Sequence, residues 1–130
     1  MKNINFLTLA EIIIIHNDQV NRYGGHQGVR DNHLLQSALA QPEASFAGTF
    51  LHEDIYEMAS AYAFHICQNH PFFDGNKRAA LAVALVFLEV NGIAIIDPKG
   101  QLFKAMIDMA SGRLGKKEFA KLLRQLPCEE

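Results

Sequence analysis

Apolar residues recur along this chain with the period of an α-helix. Leu9, Ile12, Ile13, His16 and Val20 share one helical face. Thr8 and Glu11 form a capping-box start ahead of that stripe. The pattern stops at RYGGHQG, where Gly24, Gly25 and Gly28 break any period. A second helix is predicted from near Asp31, carrying Leu34, Leu35, Ala38 and Leu39 and ending before Pro42; PEASFAGTF then reads as a loop. From about Asp54, Ile55, Met58, Ala59, Tyr62 and Ile66 form a third stripe that runs to Asn69, just before His70 and Pro71. The fourth helix, Asn76 to Val90, is apolar on all sides until Glu89, as befits a helix at the centre of a small domain. Asn91-Gly92 ends it. Leu102/Met106/Met109 and Phe119/Leu122/Leu123/Leu126 mark two further amphipathic helices. No alternating strand of useful length, repeat or linker is visible, and GIAII at 92–96 is a weak strand candidate. The pattern predicts one compact all-α domain over residues 1–130, with a central helix wrapped by the others.

Composition changes little in this picture. The chain of 130 residues is one domain long and can bury a core. Hydrophobic residues make up 49 % and charged residues 20 %, the balance of an ordinary globular protein. A formal net charge of −2 without a basic run gives no sign of nucleic-acid binding. The longest apolar run, Ala79 to Leu88, is too short to span a bilayer, and MKNINFLTLAEIIII is a poor signal peptide because charge and amide groups interrupt it. Cys67 and Cys128 form no CxxC pair and read as reduced thiols, which points to the cytoplasm and away from membranes.

The fourth helix begins badly on local grounds. Its sequence HPFFDGNKRAA, residues 70–80, puts Lys77 and Arg78 at an amino end that favours anions. The conflict disappears if an anion binds there. Gly75 and Asn76 form a turn ahead of free backbone N–H groups, a ready phosphate site. Lys77 and Arg78 then become counter-charges, Arg78 in two-pronged fashion. Asp74 is placed to hold Mg²⁺, which prefers one or two carboxylates plus phosphate oxygens. His70, across a short turn, can take a proton from an attacking hydroxyl. Pro71 ends the preceding helix and Phe72 anchors the turn in the core.

Each residue alone has a plain structural explanation. A histidine near a helix end is usually structural, DGN is a common turn, and cations often sit on exposed helix ends. The combination within nine residues, leading into a helix too apolar to be superficial, is what points to a site. Other candidates are weaker. GRLGKK at 112–117 has the wrong spacing for a phosphate-binding P-loop. His16, His26, His33, His52, His65 and His70 show no zinc spacing, and His16 and His65 read as satisfied core or boundary residues. Arg30-Asp31 lacks the downstream residues of a kinase catalytic loop; it reads as a pin for the glycine loop and a cap for the second helix.

HPFFDGNKR resembles the signature of the Fic/Doc superfamily, HxFx(D/E)GN(G/K)R, at seven fixed positions in order. RYGGHQGVRD, LLQSALAQP and FLEVNG resemble the shorter death-on-curing, or Doc, branch. The resemblance implies an all-α fold with the motif loop between two central helices. It implies an ATP-dependent transferase using Mg²⁺: Fic members move AMP from ATP to a protein hydroxyl, whereas Doc toxins are protein kinases that modify elongation factor Tu and stop translation. His70 becomes the general base, Phe72 the anchor, Asp74 the Mg²⁺ ligand, Gly75 and Asn76 the anion-holding turn, and Lys77 and Arg78 the phosphate contacts. AMP-transferring relatives keep a glycine at the position of Lys77 and a second arginine at that of Leu81. Both departures are Doc-like and favour attack on the γ-phosphorus over the α, leaving AMP transfer as the alternative and an inactive binding module as the second. Some Fic proteins block their own ATP site with a glutamate in (S/T)xxxE(G/N). Thr49 and Glu53 have that spacing, in what resembles the substrate-facing flap, but Asp54 follows. Restraint is therefore expected from a separate antitoxin whose disordered tail folds on the toxin.

Overall fold

The computed structural model describes residues 3–129; residues 1–2 and 130, the ends of the expected domain, lie outside the described residues. Its helices are α1 (Leu9–Tyr23), α2 (Asn32–Ala40), α3 (Ile55–Asn69), α4 (Asn76–Val90), α5 (Gln101–Ala110) and α6 (Lys116–Gln125). Two antiparallel ribbons of two-residue strands complete the described residues: β1 (Ser45–Phe46) with β2 (Thr49–Phe50), and β3 (Ala94–Ile95) with β4 (Cys128–Glu129). The fold is all-α.

The helix starts follow from their caps. Thr8 Oγ1 accepts from Glu11 N–H at 3.1 Å while Glu11 Oε1 accepts from Thr8 N–H at 2.8 Å. Asp31 and Asp54 each accept from the backbone N–H three residues on, at 2.9 Å, and open α2 and α3. α4 differs: it follows Gly75 in a left-handed conformation and has no side-chain cap.

The centre is a pair of helices where the pattern suggested one. α3 is buried along Met58 to Ala63 and at Ile66 and Cys67, and α4 packs against it through Ala79, Ala80, Val83, Ala84, Phe87 and Leu88. The apolar stripe understated α3 because Ser60, Ala61 and Ala63 look neutral in a periodicity count. Buried small residues let neighbouring backbones come close, and Ser60 Oγ donates to Lys116 O at 2.6 Å at the start of α6. α4 in turn leaves Leu81, Ala82, Leu85 and Val86 only half-buried.

PEASFAGTF is more ordered than a loop. Its hairpin turns at Ala47 and Gly48, both with positive φ (52° and 82°). Strands of two residues carry too little alternation to be seen in sequence. Phe50 packs edge-on against Phe6 (centroids 5.6 Å apart), and Phe6 stacks on Phe87 at 5.9 Å. Phe87 is near the carboxyl end of α4, about 16 Å along the helix from Asn76 at 1.5 Å per residue. The hairpin, Thr49 and Glu53 therefore sit at the other end of the helix pair from residues 70–78. This corrects the expectation of a flap facing the site. GIAII does contain a strand, β3, whose partner β4 comes from the carboxyl-terminal stretch. Cys67 is a buried thiol, pushed up to about 11 by that burial, and Cys128 is exposed; both are free. Among the described residues no helix is long and apolar enough to cross a membrane.

Tyr62 ties the amino-terminal segment to this core. Its hydroxyl oxygen accepts from Leu7 N–H at 3.0 Å and its ring lies 5.0 Å from that of Phe87. Burial pushes the hydroxyl up to about 12. Tyr62→Phe should cost about 1–3 kcal/mol in urea unfolding, because the buried Leu7 N–H loses its acceptor. An unfolded tyrosine ionises near pH 10, so from there to about pH 12 the unfolded chain has released a proton that the folded one keeps. The parent should thus lose stability as pH rises above about 10, and Tyr62→Phe should show less of that loss.

Candidate active site

Six residues, 70–75, connect α3 to α4, and their backbone is held from three sides. α3 ends at His70, whose φ of 50° and ψ of 53° are left-handed, an unfavourable state for a residue with a Cβ. Arg30 compensates. Its Nε and Nη2 donate to His70 O at 2.8 and 2.6 Å, and Nη2 also donates to Asn69 O at 3.2 Å. A cation on the last carbonyls of a helix suits the dipole there. The Arg30 and Asp31 N–H groups both donate to Pro71 O (2.7 and 3.0 Å), Phe73 N–H donates to Gly28 O at 3.3 Å, and Val29 bridges Phe72. Residues 28–31 thus splint residues 70–73. The sequence reading placed Arg30 on the glycine loop; its guanidinium in fact grips the end of α3, while Asp31 caps α2 as expected.

The second support is internal. Phe72 is fully buried. The Asn76 side chain accepts from Phe72 N–H through Oδ1 and donates to Phe72 O through Nδ2, both at 3.0 Å. Asn76 is itself only 5 % exposed. The Asn76 side chain therefore braces the turn, and the residue can meet an anion only through its backbone N–H.

The third support is α1. His16 is buried and stacks flat on Phe72, centroids 3.8 Å apart and planes 5° from parallel. Its Nε2 lies 2.7 Å from Asp74 O; a carbonyl only accepts, so Nε2 carries the proton. A Cβ on Gly75 would lie 3.7 Å from His16 and Val20, within ordinary contact, so the glycine is required here by its φ of 73°. His16 is the core residue the pattern suggested and also a bearing for the turn. Neither the bearing role of His16 nor the grip of Arg30 is visible in sequence, since each joins segments 39 or more residues apart.

Upon this frame the polar groups converge. His70, Asp74, Gly75, Lys77 and Arg78 line one cleft of about 230 Å³, and Phe103 of α5 forms part of its wall. Asp74 is exposed. Its Oδ2 accepts from His26 N–H (3.2 Å) and its Oδ1 from Gly75 N–H (2.9 Å), and these bonds hold the carboxyl below the usual range. A Cβ on Gly25 would come within 2.8 Å of Asp74 Oδ2, so a glycine is needed beside the carboxylate. The first N–H groups of a helix have no partner within it, and α4 has no side-chain cap. Its open end faces the same cleft.

A profile of the Fic/DOC family matches residues 6–88. The chain belongs to the Fic/DOC family. It is 31 % identical over 116 residues to "Protein kinase doc" of Escherichia phage P1, across 89 % of this chain and 90 % of that protein. It is 38 % identical over 73 residues to "Toxin Doc" of Mycolicibacterium smegmatis, across 56 % of each. Both relatives place it in the Doc branch.

The remaining histidines stay outside this Fic/DOC cleft. Lys116 Nζ lies 3.1 Å from His65 Nε2, and burial, followed by the charge of Lys116, lowers the imidazole to about 4. His65 is therefore neutral at pH 7, partnered as a boundary residue. Among the described residues no three His, Cys, Asp or Glu side chains gather as a metal cage.

The brace and the exposed histidine should separate in stability. Asn76→Ala removes two buried bonds to Phe72 and should cost about 1–3 kcal/mol. His70→Ala removes an exposed side chain and keeps the backbone grip, so its urea midpoint should stay close to that of the parent.

Proposed function

We propose that this chain is a Doc-type toxin that phosphorylates a protein. It moves the γ-phosphoryl group of Mg-ATP to a hydroxyl of a translation protein, elongation factor Tu by resemblance, and so arrests translation in the cytoplasm. The observation that carries this reading is the convergence in one cleft of an exposed histidine, an ionised carboxylate, an uncapped helix start and two cations. The name of the phage P1 relative, matched over nine-tenths of its length, supports a kinase.

The residues divide the work. The target hydroxyl enters beside His70, which takes its proton as the oxygen attacks the γ-phosphorus. The new P–O bond forms as the bond to the β,γ-bridging oxygen breaks, and ADP departs with that electron pair. The N–H groups at the start of α4, with Lys77 and Arg78, bind the phosphate oxygens and offset their charge. Asp74 suits Mg²⁺: its carboxylate has accepting capacity beyond its two N–H bonds. With no protein cage nearby among the described residues, the other oxygens would come from phosphates and water, the arrangement Mg²⁺ prefers. The ion would neutralise charge on the transferring group.

Two features favour the γ-phosphorus. Lys77 adds reach and charge where AMP-transferring relatives keep glycine. Leu81, where those relatives place an arginine, is packed against the core and offers phosphates nothing. In-line transfer makes the product depend on how ATP is oriented. Restraint would come from a cognate antitoxin, since Glu53 lies before the first turn of α3, about 20 Å along that helix from Asn69 at 1.5 Å per residue.

ATP labelled at the γ-phosphate should label the target, and ATP labelled at the α-phosphate should not. The reverse pattern would replace the kinase reading with AMP transfer. His70→Ala should slow transfer on the order of 10²–10⁴-fold. Mg-ATP should raise the melting temperature of the parent, and less so for Asp74→Ala. A parent that binds no nucleotide would indicate an inactive binding module.

A further inference from the structure

The guanidinium of Arg78 lies over two aromatic rings. Its Cζ is 4.1 Å from the centroid of Tyr23 and 4.6 Å from that of Phe103. Tyr23 is the last residue of α1 and Phe103 the third of α5, so three helices meet on this one group. Arg78 is half-buried, yet no carboxylate among the described residues forms an ion pair with it.

We propose that Tyr23 and Phe103 are positioning residues: they hold the Arg78 guanidinium by its faces and leave its N–H donors free for phosphate oxygens at the start of α4. This rests on the reading that the cleft takes a polyphosphate. The physical reason is directional. Ring faces attract a planar cation stacked on them, whereas its N–H groups project in its own plane. A carboxylate would also hold the group, but by occupying the donors that an anion needs. Pinning the side chain against two rings also removes rotamer freedom before the anion arrives, so less is lost on binding.

The same turn sets the neighbouring negative charge. Tyr23 is followed by Gly24, Gly25 and His26, and His26 N–H holds Asp74 Oδ2. The end of α1 therefore fixes Arg78 through a ring and Asp74 through a backbone bond, and so fixes their separation. The other ring comes from beyond residues 6–88, the part matched by the family profile. α5 thus contributes to the anion site, although its sequence showed only a core-packing stripe.

The test is calorimetric titration of the whole protein with magnesium pyrophosphate and, separately, with Mg-ATP. The proteins are the parent, Tyr23→Leu, Phe103→Leu, Phe103→Tyr and Arg78→Ala, plus each leucine change combined with Arg78→Ala. Leucine fills space without a ring face. Each leucine variant should bind pyrophosphate about three- to tenfold more weakly. Phe103→Tyr should bind within about twofold of the parent, since a tyrosine ring also takes a cation on its face. In the Arg78→Ala background the leucine changes should have no further effect. Tyr23 is 58 % exposed, so Tyr23→Leu folds even if Phe103→Leu proves unstable. Leucine variants that bind like the parent, or that lose as much affinity without Arg78 as with it, would overturn the proposal. So would a parent that does not bind pyrophosphate. Coupling seen with pyrophosphate but no binding of Mg-ATP would sink the ATP reading and leave this inference standing; Mg-ATP binding without coupling would do the opposite.

Discussion

The contact between the Arg30 guanidinium and the carbonyl of His70 is the one on which the site depends. α3 must stop and α4 begin within six residues, yet the histidine at the join has to stay in the open. A left-handed residue turns the chain sharply, and here that residue has a Cβ and an imidazole. Backbone strain of this kind persists only where the surroundings over-determine it. Arg30 supplies that constraint from the segment after the glycine loop, with two bonds to His70 O and one to Asn69 O. Because the grip is on the carbonyl, the imidazole is left unengaged.

The same economy runs through the rest of the loop. Buried groups do the bracing and exposed groups are left open. Phe72, Asn76 and His16 are buried and satisfied among themselves or by backbone. Asp74 has its backbone carbonyl held by His16 and its carboxylate steadied by two N–H groups, and it still faces solvent. Lys77 and Arg78 at a helix start oppose the dipole and weaken α4 locally. Electrostatic sites are commonly built this way: charges held where they repel each other or the backbone are relieved by the ligand that neutralises them.

The helix pair also separates two ends of the molecule. The motif loop lies at the amino end of α4, and the small hairpin packs through Phe50 and Phe6 against Phe87 at the carboxyl end. With the Thr49–Asp54 stretch displaced from the cleft, a cis-acting glutamate of the Fic kind has no reach there.

Sequence alone determined the helical class, the starts and stops of α1 to α4 to within a residue or two, and the local motif from His70 to Arg78. These are encoded over short spans: an i to i+3 cap at Thr8, Asp31 or Asp54, a 3.6-residue stripe, a turn at Gly75. It also exposed the misplaced cations, because a helix dipole is a local property. Tertiary structure decided what each motif residue is free to do. Asn76 was legible as part of the turn, but its bond to Phe72 could be known only once the side chain's direction was set by packing. His16, Arg30, Tyr23 and Phe103 enter the site from 25 to 58 residues away, through contacts that their own segments do not announce. The depth of α3 was likewise hidden, because alanine and serine have little hydropathy signal and become core only when two neighbours close over them.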